Sequence, residues 1–170
     1  MYQEKYWKEI YQLKTHLNYV DLYLIQSERY NNIVNCFLAI ASSSSIAGWA
    51  IWQKYAFVWG IIIASSQVIT VINSFLPYKN RLKSLPGLRN ALNDLMIFAE
   101  KNWYPVSEGE LTDKEIHELQ FKLRTKKNNL LETHVGESTL PEKKKLFLKA
   151  QASAEIYFNN FYPIEGEKNG

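Results

Sequence analysis

Between Tyr30 and Tyr78 the chain carries one charged side chain, Lys54, and no other feature of the sequence restricts its folding as much. Lys54 separates two uncharged stretches, Tyr30–Gln53 and Tyr55–Tyr78. As a helix rising ~1.5 Å per residue, each would be about 36 Å long, against roughly 30 Å of bilayer hydrocarbon. The first, YNNIVNCFLAIASSSSIAGWAIWQ, becomes apolar from Ile33. The second, YAFVWGIIIASSQVITVINSFLPY, is rich in β-branched residues yet too long for a single strand. Lipid favours helix for both, because each backbone amide must find a partner inside its own segment. The expected fold is therefore all-α. An integral membrane helical hairpin of two transmembrane helices at 30–78 lies between an N-terminal amphipathic cytoplasmic helix at 1–29 and a cytoplasmic helical region at 79–170. The competing reading is a hairpin buried in a soluble bundle, which the four serines Ser42 to Ser45 keep open.

Aromatic residues mark both rims of such a hairpin. Trp49, Trp52, Tyr55 and Trp59 surround the turn at Trp52 to Ala56, and Tyr30 and Tyr78 stand at the far ends. The turn carries only Lys54, whereas Lys14 and Arg29 precede the first stretch and Lys79, Arg81, Lys83 and Arg89 follow the second. This bias predicts a multi-pass protein with both termini cytoplasmic. Charges throughout residues 1–29 exclude a signal peptide.

Polar residues inside the hairpin recur at helical spacing. Asn32, Asn35, Ser42 and Ser43 share one face with Ala39, and Ser66, Gln67, Thr70 and Asn73 share another with Ser74. Such stripes suit another helix or water rather than lipid, so they are candidate pore-lining or interhelical groups. Ala39, Ser43 and Ala47, like Gly60 and Ala64, add the small-residue spacing of close helix packing.

Tyr6, Ile10, Leu13, Leu17, Val20 and Leu24 alternate steps of four and three, the a/d pattern of a coiled-coil seam, and form a candidate oligomer seam. It needs helical partners, from the same chain or from neighbours. Beyond the hairpin, Pro77 and Pro86 bracket a basic, interrupted segment. A helix on Leu85, Leu88, Leu92, Leu95 and Ala99 then ends near Trp103, since Tyr104 precedes Pro105. Thr112 with Glu115 reads as a capping box for a helix on Ile116, Leu119, Leu123 and Leu130, with Gly136 past its end. A second box, Thr139 with Glu142 and Pro141 just inside, opens a last helix on Leu146, Phe147, Ala150, Ala154, Tyr157 and Phe158. Pro163 limits that helix, and a loose tail follows.

The remaining composition mostly excludes. With 20 basic and 17 acidic residues, a net charge of +3 gives no reason to expect a nucleic-acid partner. The single cysteine, Cys36, rules out an internal disulfide and any cysteine-rich zinc site. There is no Gly-rich phosphate loop, metal-ligand spacing or nucleophile elbow, so neither an enzyme nor a cofactor is expected. Lys122, Arg124, Lys126 and Lys127 form a basic cluster. With Lys79, Arg81 and Lys83 they are candidate contacts for anionic lipid headgroups or a phosphate-bearing ligand. Lys143, Lys144 and Lys145 form a second run, and His16 beside the seam reads as packing or solvated.

A charged helix, a tight uncharged hairpin at 30–78 and amphipathic helices after Lys79 together resemble the SLATT family, the SMODS- and SLOG-associating two-transmembrane effector domains of bacterial conflict systems. The resemblance implies a membrane effector of a second-messenger-linked antiphage system at the bacterial inner membrane. On that reading the protein oligomerises to form a pore or disrupt the bilayer, causing growth arrest or cell death. Its implied partners are the lipid bilayer, further copies of itself, and a nucleotide second messenger or a sensor protein of the same system. The alternative function is a non-lytic, membrane-anchored helical scaffold that docks a partner protein.

Overall fold

The computed structural model describes the backbone of residues 2–51, 53–75, 78–136 and 140–162, and their side chains except 43–51, 53, 56, 74–75 and 78–81. All regular structure among these residues is helical. In chain order the helices are α1 (Tyr2–Ile51), a 3-10 turn (Gln53–Tyr55), α2 (Ala56–Phe75), α3 (Tyr78–Ser107), α4 (Asp113–Val135) and α5 (Lys144–Phe161). Two compact units divide the chain: residues 1–24 with 83–170, and residues 25–82.

The first unit is a helical bundle built on the a/d seam. Tyr6, Ile10, Leu13, Leu17, Val20 and Leu24 are all buried, as are Leu85, Leu88, Leu92, Leu95 and Ala99 of α3. Ile116 and Leu123 of α4 and Ala150, Ala154 and Phe158 of α5 complete the core. Each large side chain removed from water here contributes about 1.5–3 kcal/mol. The expected oligomer seam is thus corrected. Its residues are spent on the chain's own helices, because three amphipathic helices folding back offer the apolar partners that the sequence pattern only says are needed.

Polar contacts fix the packing of this bundle. Gln3 donates to the Val106 carbonyl at 2.8 Å, Tyr6 to the Ala99 carbonyl at 3.2 Å and Asn18 to the Ala150 carbonyl at 3.2 Å. Arg89 pairs with Asp21, and Arg124 Nε donates to Glu9 at 2.7 Å. Gly87 permits the close approach of α3 to α4, since a Cβ at that position would lie 3.1 Å from His134 Cε1.

Helix ends follow the sequence in one case and tertiary structure in another. The Thr112–Glu115 capping box forms, with Thr112 N–H donating to Glu115 at 2.8 Å, and Gly136 closes α4 at φ +60°. Pro86 and Pro105, expected to break helices, lie inside α3, which runs to Ser107. Buried Leu85, Leu88 and Val106 hold the backbone across each missing N–H. Thr139 of the second expected box lies outside the described residues, and α5 begins later, at Lys144. There the Lys143 N–H donates to the Tyr19 hydroxyl at 3.0 Å, and that hydroxyl donates to the Pro141 carbonyl. A side chain from α1 therefore does the work of a local cap.

Residues 25–82 form the second unit, comprising the end of α1, the turn, α2 and the first residues of α3. Among the described residues no helix is long and apolar enough to cross a membrane. That overturns the expected placement as a multi-pass inner-membrane protein with both termini cytoplasmic. Polar side chains also lie along both apolar runs. Asn31, Asn32 and Asn35 interrupt α1 before Ile40, and Ser65, Ser66, Gln67, Thr70 and Asn73 interrupt α2.

Candidate functional site

Two features stand out, one in each unit. In residues 25–82 large apolar side chains face outward. Phe57 is 81% exposed, Ile40 62% and Ile33 59%, and Val58, Ile61, Val68, Val71 and Ile72 are also exposed. Both helices share the property, and Lys54 is the region's one charge between Tyr30 and Tyr78. Water is a poor neighbour for so much uncharged apolar surface.

The polar stripes of this unit divide in their behaviour. Ser42 donates to the Ala39 carbonyl at 3.0 Å, Ser66 to the Ile63 carbonyl at 2.8 Å and Thr70 to the Ser66 carbonyl at 2.8 Å. Their hydroxyls are thus turned back onto their own helix, which masks much of their polarity. Asn32, Asn35 and Gln67 are exposed amides, whereas Asn73 is buried. The side chain of Ser43 lies outside the described residues.

The second feature is a cavity of about 580 Å³ in the bundle, where α1, α3, α4 and the start of α5 meet. Val20, Leu92, Leu131, Val135, Leu140 and Phe147 give it apolar walls. His16, Tyr19, Lys127, Glu132 and Glu142 supply the polar groups. Burial, with the positive charge of Lys127 adding to it, pushes His16 down to about 4, so its imidazole is neutral at pH 7. Burial also pulls the Lys127 ammonium below the usual lysine range; Glu9 opposes this and Arg124 reinforces it. The Glu9 carboxylate, itself buried, is taken by Arg124. Lys127 makes no hydrogen bond or ion pair with the described residues.

This geometry breaks up the expected basic cluster. Arg124 faces Glu9, Lys122 and Lys126 lie over the Phe98 ring at 5.5 and 4.3 Å from its centre, and Lys127 faces the cavity. Four cations within six positions wrap around a helix, so they do not form one anion-binding face. Lys83 is exposed, and the side chains of Lys79 and Arg81 lie outside the described residues. Among the described residues no group of histidine, cysteine and carboxylate side chains could hold a metal ion.

Sequence reasoning singled out His16 and Lys127 separately and missed that they meet. Their separation in sequence leaves no local signal; only the packing of α4 on α1 joins them. Nothing in the sequence around Tyr19 shows that its hydroxyl organises the start of α5. No protein-family model, curated protein or solved structure matches this chain.

Proposed function

We propose that this protein is a non-catalytic, self-assembling helical effector. Its bundle is a closed folding unit, and residues 25–82 are the surface through which copies associate and act on a lipid bilayer. The observation that carries the reading is the outward set of apolar side chains on α1 and α2, with Phe57, Ile40 and Ile33 among them. Assembly and lipid contact belong together physically. Exposed Asn32, Asn35 and Gln67 are costly against hydrocarbon, so neighbouring copies have to cover them before the apolar side chains can meet acyl chains. Contact with lipid is in this reading a property of the assembly.

The test uses purified full-length chain with dye-loaded phospholipid vesicles, read together with sedimentation velocity. Dye release by species larger than a monomer is the expected result. Changing Phe57, Ile61 and Val68 together to Ser removes both release and assembly. A chain that stays monomeric at tens of micromolar and releases no dye overturns the proposal. Assembly without release favours the scaffold function instead, in which the same surface docks copies or a partner without breaching lipid.

A further inference from the structure

The cavity in the bundle carries a separate inference, independent of what residues 25–82 do. We propose that it binds a small amphipathic carboxylate, whose anionic head meets Lys127 and His16 and whose hydrocarbon or aromatic body fills the apolar walls.

Three observations support this. The first is size: about 580 Å³, open on one side to solvent, falls within the range of small-molecule sites. The second is the arrangement of the walls, where Val20, Leu92, Leu131, Val135, Leu140 and Phe147 form an apolar body and the polar groups are few. The third is charge. Arg124 already answers Glu9, and Lys127 is left as a half-buried cation without an ion-pair partner among the described residues. A ligand carboxylate supplies the missing opposite charge, and in partly desolvated surroundings that pairing is stronger than on an open surface. Neutral His16 adds one N–H donor without adding charge. Tyr19 is a wall rather than a reader, since its hydroxyl is engaged by Pro141 and Lys143. Glu132 and Glu142 line the same cavity and repel each negative charge a ligand brings, so the head has to sit at Lys127 and His16 and carry one charge rather than several.

Isothermal titration of the full-length chain with decanoate, decanol and decylamine, each below its micelle-forming concentration, separates the contributions. Wild type is expected to bind decanoate saturably and at least tenfold more tightly than decylamine. Lys127→Gln should cost decanoate at least tenfold while changing decanol less than twofold. Leu131→Trp, which fills the cavity, should weaken both decanoate and decanol. Thermal melts of each variant establish that the bundle is intact, and the wild-type comparison of decanoate with decylamine stands even if a variant does not fold. No saturable decanoate binding by wild type, or equal affinity for decylamine, overturns the proposal. So does a folded Lys127→Gln protein that binds decanoate unchanged.

Discussion

Helix α1 behaves in opposite ways along its length. From Tyr6 to Leu24 its apolar residues lie on one face and are buried, while charged residues such as Glu4, Lys5 and Lys8 stay outside. From Ile25 to Ile40 the apolar side chains Ile25, Ile33, Phe37 and Ile40 are exposed, though the backbone continues as one helix. The difference lies in what each stretch finds to pack against. The first half has α3, α4 and α5 with matching apolar faces, so period and partner agree. The second half has no charge beyond Glu28 and Arg29, and much of its apolar surface stays uncovered within a single chain. Apolar content alone therefore does not decide burial; an available complementary face does.

Substitutions at the core should show this contrast most strongly. Leu92→Ala removes a fully buried side chain that also walls the cavity, and should lower unfolding stability by about 2–5 kcal/mol in a denaturant titration. A loss below about 1 kcal/mol would mean that the bundle is not the closed unit described.

Acidification probes the same unit through His16. Its native pKa, about 4, lies below its ordinary value of 6.5, so the unfolded chain binds a proton that the native chain refuses. Stability from this group is full above about pH 6.5, falls as pH drops toward 4, and levels off below that. Lys127, Tyr19, Glu132 and Glu142 share the cavity with it, and Lys127 sets the direction of the charge effect. Discounted for a partly exposed ring, the fall is about 1–2 kcal/mol. His16→Gln should flatten the stability curve between pH 6.5 and 4; an unchanged slope would assign it to other groups.

The start of α5 gives a smaller effect. Tyr19→Phe removes the hydroxyl that accepts from Lys143 and donates to Pro141, and should cost about 1 kcal/mol. Hydrogen exchange should show the loss concentrated at Lys144 to Phe147, with the rest of the bundle protected as before.

These residues also show how much the sequence could tell. The helical class was legible from long periodic runs without strand alternation, and the Thr112–Glu115 box from a spacing that is local chemistry. The seam was legible as a face in need of partners, but which partners was not, because a/d periodicity is the same for a neighbour in the chain and one in another molecule. Pro86 and Pro105 misled for a related reason. A proline rule weighs the backbone cost alone, and burial of Leu85, Leu88 and Val106 outweighs it. The absence of charge between Tyr30 and Tyr78 pointed to a pair of spans, whereas among the described residues no helix is long and apolar enough to be one. The cavity could not be read at all, since its walls come from four separate segments.

The smallest effect on stability should come from the exposed apolar residues, where the comparison is sharpest. Phe57→Ser and Val68→Ser replace outward-facing side chains that lose little or no burial on unfolding. Each should therefore shift the unfolding free energy of the bundle by less than about 0.5 kcal/mol. The same pair should move the sedimentation profile toward monomer if the surface they alter is the one proposed for association, since association would remove it from water. A residue that is silent in folding and active in association belongs to a surface that is completed between molecules. If both changes instead destabilised the chain by as much as Leu92→Ala while leaving its sedimentation unchanged, these side chains would be buried within one chain in solution. The division between a unit closed on itself and a unit open to others would then collapse.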